Sequence, residues 1–192
     1  VDSDCIVNHN FIKSMIASLE KHPIVQAKLS FLGEGYFAKI FCMMRDEAYN
    51  KPDFHLFAPG VGFQKNTFSD CGYFSEESPH TYDSDFSYRI LRKGYKVFYE
   101  PNAIIYHHCT NNLFKEVKVW FNYGKGRYLK YDKGYFGERN IKTFLTSLFY
   151  LRTFDLKLGF MYNLFTLMYM IIRDSAFIYV FVKRIFLRGT KK

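Results

Sequence analysis

The segment of residues 82–108 most constrains the fold of this chain. Acidic residues open it at Asp83 and Asp85, apolar residues follow at helical spacing, and the pattern stops at Gly94. Carboxylates are favoured in the first turn of a helix and glycine just after the last turn. Short apolar runs separated by Pro101 come next, which is typical of strands. The segment therefore predicts a helix followed by strands, and with them an α/β chain.

The elements around this segment follow from periodicity and capping. Residues 33–51 show no clear pattern and predict a mixed, mobile region. Lysine and glycine dominate residues 124–137, which predicts a loop or linker. The other predicted elements are a helix between Asn10 and Pro23, a strand over residues 24–31, short strands over residues 96–99 and 103–106, and a helix from Asn112 through Phe121.

Composition narrows the class of protein. Of the 192 residues, 48% are hydrophobic and 20% aromatic, which is too apolar for a disordered chain. The net charge of +9 is concentrated toward the C-terminus and suits an anionic partner, whether nucleic acid, lipid or a phosphorylated substrate. The four cysteines lie far apart without a C-x-x-C pair. They predict neither a zinc site nor a disulfide framework, and reduced thiols indicate the cytosol.

Two aspartates at the start of the chain predict a metal site. Asp2 and Asp4 form a D-x-D motif, a pattern that can hold a divalent metal where it ends an apolar strand. A turn at a strand end can direct both carboxylates to one ion, and the carboxyl ends of strands are where open α/β sheets bind ligands. Hard oxygen ligands suit a divalent cation, Mn²⁺ or Mg²⁺.

The order of motifs resembles family 2 inverting glycosyltransferases, which have the GT-A fold. After the D-x-D come residues 60–65, residues 70–76 and then the acidic helix. The resemblance covers roughly residues 1–130 and only the second half of such a domain. It implies a partial GT-A sheet over residues 1–137, followed by a helical tail over residues 138–192. Because the chain opens on a valine at the D-x-D, we expect it to be a fragment of a larger enzyme.

The resemblance also implies roles for individual residues. Asp83 matches the aspartate of the family's Glu-Asp pair and would be the catalytic base, although Tyr82 stands where glutamate is usual. Asp85 would contact substrate, but a carboxylate here can equally stabilise the helix dipole. His107 would be a third metal ligand, unless it is a hydrogen-bonded structural residue; His108 is the weaker candidate.

Further substrate contacts are implied on either side of the acidic helix. Gly60 and Gly62 belong to a segment that resembles the acceptor wall, although glycines often serve backbone geometry alone. Lys125 and Arg127 lie in the predicted basic loop, which would close over the diphosphate or remain solvated. Arg89 is expected to anchor its helix by pairing with a nearby carboxylate.

The implied reaction moves a sugar from a nucleotide-sugar donor to an acceptor hydroxyl with inversion. The acceptor would be a saccharide or a lipid-linked glycan. No Q-x-x-R-W motif is present, which favours addition of a single sugar over processive synthesis. RNA-recognition motifs are lacking and the acidic helix would repel phosphate, so a nucleic-acid partner is not expected. The alternative is a non-catalytic half-domain that needs a partner supplying the nucleotide-binding half.

The sequence changes character from residue 141 onward. Apolar runs over residues 144–151, 158–172 and 176–182 are interrupted by charged residues. None reaches the roughly 20 residues of a spanning helix. They predict either helices packed in a protein core or helices in a membrane interface. The basic residues at the end suit the cytoplasmic face of a membrane, with the chain peripheral or anchored there.

Overall fold

The computed structural model describes residues 4–49, 56–76, 81–135, 140–148 and 156–189. The chain divides into two compact units, Val1–Asn111 and Asn112–Lys192. The first is mixed α/β and the second is helical where it is described, which confirms the α/β class and the helical C-terminal region. The expected limit of the catalytic domain at residue 137 stays a prediction.

The first unit holds all the described strands. Its elements in chain order are β1 (Cys5–Val7), α1 (Phe11–Leu19), β2 (Ile24–Leu32), α2 (Tyr36–Tyr49), β3 (Val61–Phe63), α3 (Lys65–Asp70), α4 (Tyr82–Arg92) and β4 (Phe98–His108). The predictions for α1, β2 and α4 are confirmed, and Gly94 takes the left-handed conformation after α4 with φ of 81°.

The strands form one mixed sheet in the order β1-β4-β2-β3. The central pair, β4 and β2, is parallel, and each edge strand pairs antiparallel to its neighbour. At one end of the sheet, Cys5 lies opposite His107, and His107 lies opposite Phe31. The carboxyl ends of β2 and β4 therefore meet the beginning of β1.

Strand β4 corrects the prediction of two short strands around Pro101. It is one strand with a bulge, because Ala27 pairs with Glu100 whereas the next residue of β2, Lys28, pairs with Ile104. Proline has no N–H to donate to a ladder and is tolerated at such a bulge. The carboxylate of Glu100 accepts hydrogen bonds from the Ser18 hydroxyl at 2.5 Å and from the backbone N–H at residue 102 at 2.9 Å.

Each face of the sheet carries a core. On one face α1 packs over the alternate residues of β2 and β4, and this core comprises Phe11, Met15, Val25, Ala27, Leu29, Ala103 and Ile105. The other core includes the interior side of α4 and comprises Ile24, Leu56, Cys71, Phe86 and Ile90. Period-2 alternation in the strands and 3.6-residue spacing in the helices supply these two apolar faces.

Helix α2 overturns the expectation of an irregular region at residues 33–51. Its polar residues obscure the pattern, but Ala38, Phe41 and Met44 are buried along one side. The side-chain amide oxygen of Asn111 accepts hydrogen bonds from the first N–H groups of the helix, at residues 37 and 38. The residue that satisfies the start of α2 is therefore distant in the sequence, where a local capping rule does not search.

The second unit begins with α5 (Leu113–Asp132), which is capped by the Asn112 side chain. It continues with α6 (Ile141–Leu148), a short 3₁₀ turn (Leu156–Leu158) and α7 (Gly159–Gly189). The prediction of a loop from residue 124 is wrong, because α5 continues to Asp132. A Cβ atom at Gly124 would lie 2.1 Å from the backbone oxygen of Arg173, so glycine here permits close packing of α5 on α7.

Helix α7 is continuous where charged residues predicted an interruption. Arg173 is buried, and its guanidinium pairs with Asp174 at 2.6 Å, so this charged pair lies within the helix. Residues 159–187 are long and apolar enough to cross a membrane by length and composition, and 33% of the most apolar window is buried. The exposed apolar residues recur at spacings of three, four or seven and include Phe160, Leu164, Leu167, Ile171, Ile178, Val182 and Ile185.

Candidate metal centre

A cluster of metal-ligating side chains lies at the carboxyl ends of β2 and β4. Asp4, Cys5 and His107 each bring one ligand atom to within 4.8 Å of the others. The antiparallel pairing of β1 with β4 accounts for this, because residues directly opposite each other share a face of the sheet. Two of the three residues were predicted as ligands from sequence, and they lie more than a hundred positions apart.

The carboxylate of Asp4 faces the imidazole of His107. Asp4 Oδ2 and His107 Nε2 are 3.7 Å apart, and the Cys5 thiol points to Asp4 Oδ1, also at 3.7 Å. Ligand bonds of about 2.0–2.3 Å put neighbouring ligands of a tetrahedral ion about 3.3–3.8 Å apart. The distance between Asp4 Oδ2 and His107 Nε2 therefore fits two ligands of one ion better than a direct hydrogen bond.

Aromatic rings support the histidine from one side. The His107 ring lies 5.8 Å from the Phe31 ring, which in turn contacts Tyr49 of α2. Within the described residues, the Nδ1 atom of His107 is buried without a hydrogen-bond partner. The side chain retains 20% exposure and Asp4 retains 54%, so the cluster is open to solvent on the aspartate side.

The donor set can hold a divalent cation. A carboxylate and an imidazole together suit Mn²⁺, Zn²⁺ and related ions, whereas a thiolate at Cys5 would favour the softer Zn²⁺ over Mg²⁺. Cys5 was not predicted as a ligand. The only signal for Cys5 in the sequence was its place next to Asp4. Successive residues of a strand point to opposite faces of the sheet, which argues against two neighbours as ligands of one ion unless the chain turns there.

The neighbouring histidine contributes its backbone. His108 is exposed, and its backbone N–H donates to the Asp4 carbonyl at 3.0 Å, which holds Asp4 against the end of β4. Asp2, the other predicted ligand, lies outside the described residues.

The predicted base lies in the first turn of α4. Asp83 is half-buried, and its Oδ1 accepts a hydrogen bond from the N–H of Ser84 at 2.7 Å. Asp83 does not belong to the cluster of Asp4, Cys5 and His107. Its catalytic role stays a prediction.

Asp85 holds a loop through an arginine. Its buried carboxylate pairs with Arg89 Nε at 3.1 Å, which confirms that Arg89 anchors the helix by pairing with a carboxylate. The same guanidinium donates to the backbone oxygens of Cys71 and Tyr73, the latter at 2.7 Å. These bonds give Asp85 a structural task, and its predicted contact with substrate stays untested.

The loop that follows α3 is fixed at a second point. The Asp70 carboxylate accepts hydrogen bonds from Lys93 at 2.8 Å and from the Tyr95 hydroxyl at 3.0 Å. The Lys93 bond, followed by the Tyr95 bond, lowers the pKa of Asp70. Residues 70–76, which resemble an acceptor wall, are therefore tied to the turn between α4 and β4.

Packing accounts for the two predicted glycines. Gly60 has a φ of 73°, and a Cβ there would lie 3.0 Å from Ile105 Cγ2. Gly62 sits in β3, where a Cβ would lie 2.9 Å from Leu19 Cδ1. Both glycines thus admit close neighbours from the protein's own core, and a role with substrate remains a prediction.

The basic pair of the second unit sits on a helix and not on a flexible loop. Lys125 and Arg127 are both half-buried in α5. The ammonium of Lys125 donates to Asn122 at 3.3 Å and lies 4.9 Å from the centre of the Phe121 ring. The prediction of a flexible loop at these two residues is therefore wrong, whereas their predicted contact with substrate stays a prediction.

Comparison with models of protein families finds no match, and comparison with curated proteins finds none either.

Proposed function

We propose that this chain is the metal-binding and acceptor-side part of a GT-A glycosyltransferase. Such an enzyme would use a nucleotide-sugar donor and invert the configuration at the anomeric carbon of the sugar. The observation that carries the proposal is the approach of His107 to Asp4, at the sheet end where α/β proteins bind ligands. The D-x-D motif and the position of the histidine were assigned from different parts of the sequence. Their proximity supports a common ion.

The proposed chemistry needs a site for the departing nucleotide diphosphate. Asp4 and His107 would hold a divalent cation there, with Cys5 as a further donor. Such an ion stabilises the negative charge of a leaving diphosphate. The open side of the cluster, at the half-exposed Asp4, leaves room for ligands from a substrate.

Asp83 would receive the proton of the acceptor hydroxyl. As the acceptor oxygen bonds to the sugar, the bond from the sugar to the phosphate breaks and the nucleoside diphosphate leaves. The position of Asp83 in the first turn of α4 supports this role, because the N–H of Ser84 orients the carboxylate. The Asp85–Arg89 pair would keep that turn and the neighbouring loop in place.

Metal binding to the chain itself tests the site. We expect Mn²⁺ and Zn²⁺ to bind with a measurable heat in calorimetry, and His107→Ala or Asp4→Asn to weaken affinity at least about tenfold, the loss seen even for supporting residues of metal sites. His108→Ala is the matched control, because it removes an exposed histidine next to the cluster. Equal binding by His107→Ala and the unsubstituted chain would refute the site.

Turnover tests the base. In an assay with a nucleotide-binding half present, either joined to this chain or added to it, Asp83→Asn should lower release of nucleoside diphosphate by about 100-fold or more. Glu20→Gln, at an exposed carboxylate after α1, is the control for a lost charge. Unchanged turnover in Asp83→Asn would overturn the assignment even if the metal site stands.

We further propose that α7 brings the protein to the cytoplasmic face of a membrane, consistent with a lipid-linked glycan acceptor. The exposed apolar residues at helical spacing support this, and the exposed Lys183 lies near the end of the same helix. Basic residues near an anionic leaflet contribute roughly 1 kcal/mol each. The chain should sediment with anionic vesicles, and Leu167→Glu with Ile171→Glu should abolish most of this binding. Equal sedimentation of the double variant would contradict the membrane role.

A second candidate function is a half-domain completed by a partner. Ile6 of the edge strand β1 is 58% exposed, and Ile12 and Ile16 of α1 are also exposed. Apolar side chains beside an open strand edge are typical of a surface that another chain covers. This candidate predicts metal binding without glycosyl transfer until the partner is added.

A further inference from the structure

Helix α5 covers one face of α7 over about half of its length. The contacts between the two helices, in chain order, are Trp120 with Tyr169, Gly124 with Arg173, Tyr128 with Phe177 and Asp132 with Arg184. Because the residue numbers rise together, the helices run parallel and side by side. At 1.5 Å per residue, the contact from Tyr169 to Arg184 extends over about 22 Å of α7.

The opposite face of α7 is apolar and exposed. We call it the apolar stripe, and it comprises Phe160, Leu164, Leu167, Ile171, Ile178, Val182 and Ile185, interrupted by the exposed Ser175. The stripe is about 38 Å long. No residue from Phe160 to Ile172 is charged, on any side of the helix. A coiled coil in water carries charged side chains beside its apolar seam, so lipid fits this stripe better than a second copy of the chain.

The charged residues of α5 restrict how lipid can meet the stripe. Lys125, Arg127, Lys130 and Asp132 belong to the part of α5 that lies beside α7. If both helices entered a bilayer together, these side chains would lie in hydrocarbon, where charges are strongly disfavoured. The part of α7 before the contact, Gly159 to Met168, is about 15 Å long, half of the roughly 30 Å that a spanning helix must cross.

The middle of α7 argues against crossing even without α5. Arg173 lies at the centre of the apolar helix Gly159–Leu187, and its guanidinium is paired with Asp174. A spanning α7 would therefore place two charged residues at the middle of the bilayer. Arg173 is buried beside α5, on the covered side of the helix. A helix that lies flat keeps this pair out of the lipid.

Given the membrane role proposed above for α7, on which this inference rests, we propose that α7 lies in the plane of an anionic membrane surface. The apolar stripe is immersed in the leaflet, and α5 lies on the water side. Tyr179 and Lys183 are both exposed next to the stripe, with the ammonium 6.0 Å from the centre of the ring. Tyrosine and lysine favour the level of the lipid headgroups, where an ammonium meets phosphate.

The depth of three positions along the stripe tests this geometry. Trp120 is the only tryptophan of the chain, so Trp120→Phe provides a background for Phe160→Trp, Ile171→Trp and Ile185→Trp, all at exposed positions. The probe is a vesicle of phosphatidylglycerol and phosphatidylcholine whose acyl chains carry bromine near the headgroup or near the terminal methyl. Because a flat helix is immersed by only about 5–10 Å, we expect the shallow bromines to quench all three tryptophans at least about twofold more than the deep ones.

Other outcomes would overturn the geometry in different ways. A spanning helix would give deep quenching at Ile171→Trp and shallow quenching at the two ends, which refutes the flat helix and leaves the membrane role intact. Failure of the unsubstituted chain to bind these vesicles refutes the membrane role and the flat helix together. Dimers in solution that are lost in Leu167→Glu, without vesicle binding, would assign the stripe to a second copy of the chain.

The unsubstituted chain gives a measurement that needs no variant. Trp120 lies on the α5 side of α7, so the deep bromines should quench it little, and strong quenching by them would contradict the proposal. Alkaline carbonate should release the bound chain into the supernatant, whereas retention with the vesicles would indicate a spanning helix. Trp120 Nε1 donates to the buried Glu116 at 2.9 Å, so circular dichroism must check that Trp120→Phe folds. If it does not, the three variants retain Trp120 and the quenching of the parent is subtracted.

Discussion

Substituting alanine for Gly124 tests how closely α5 and α7 pack. The new Cβ would lie 2.1 Å from the backbone oxygen of Arg173 and 2.7 Å from Ala176 Cβ. A carbon and a carbonyl oxygen need about 3.3 Å, so the helices must move apart by about 1.2 Å locally. The contacting atom is backbone, which cannot turn away as a flexible side chain can.

Two opposing effects set the magnitude of the change. Overpacking costs about 3 kcal/mol at the upper end of its usual range, whereas replacing glycine inside a helix returns about 1 kcal/mol. Gly124→Ala should therefore lower the free energy of unfolding by about 2 kcal/mol. For a chain of this size that corresponds to a fall in Tm of about 4–8 °C.

Urea unfolding followed by far-ultraviolet circular dichroism measures the change. Lys118→Ala, at an exposed position of α5, is the control and should stay within about 0.5 kcal/mol of the parent. Adding Ala176→Gly to Gly124→Ala should recover only part of the loss, because the shortest contact is with Arg173. A Gly124→Ala variant as stable as the parent, or more stable, would show that helix propensity dominates and would refute the close packing.

The remaining predictions concern the first unit. The hydrogen bond from Ser18, followed by the one from residue 102, lowers the pKa of Glu100 in the folded protein. These bonds therefore stabilise the fold fully above the pKa of an unfolded glutamate, about 4.3, and the stabilisation is lost as the pH falls through the lower pKa of the folded state. Ser18→Ala should cost about 1–2 kcal/mol at pH 7 and less at pH 3, and an equal cost in urea melts at both pH values would contradict this. Arg89→Met should lower the free energy of unfolding by about 3–5 kcal/mol, because the buried Asp85 loses its cation, and should speed proteolysis of residues 71–76. Arg89→Lys should lose less stability than Arg89→Met but more than the parent. A loss below about 1 kcal/mol in Arg89→Met would count against Arg89 as the anchor of the helix. Gly60→Ala should lower the Tm more than Gly94→Ala. Both glycines have a positive φ, but of the two only Gly60 has core atoms within 4 Å of an added Cβ. Equal losses in thermal melts would show that core packing at residue 60 contributes nothing.

Local rules predicted the elements whose signals lie within a few residues. Helix α4 carries its acidic first turn in its own sequence, with Gly94 close after its end. Strand β2 alternates apolar and polar residues from Val25 to Phe31. Helix α2 did not follow from such rules, because Asn111 satisfies its first N–H groups from a distant segment. In α5, Gly124 signals a loop by propensity, yet the approach of α7 makes glycine the residue that fits.

The sequence predicted the kind of site, a metal centre, but only some of the residues that form it. Asp4 carries the D-x-D signal, and the resemblance to family 2 glycosyltransferases implied a ligand at His107, so both could be named in advance. Cys5 could not, because its inclusion depends on pairing between β1 and β4, which joins opposite ends of the first unit. Sequence spacing gives no measure of such a pairing.

The bulge in β4 changes which side chains of that strand share a face of the sheet. Phe98 and Ile105 are seven residues apart, an odd number, yet they lie opposite Val25 and Leu29, which share a face of β2. Counting alternation without the bulge would therefore assign His108, and not His107, to the side of Cys5. Since Asn8 fixes the strand again at Ile104, insertions or deletions confined to residues 101–103 should leave His107 in place. A single insertion after residue 104 would instead exchange the two histidines between the faces of the sheet.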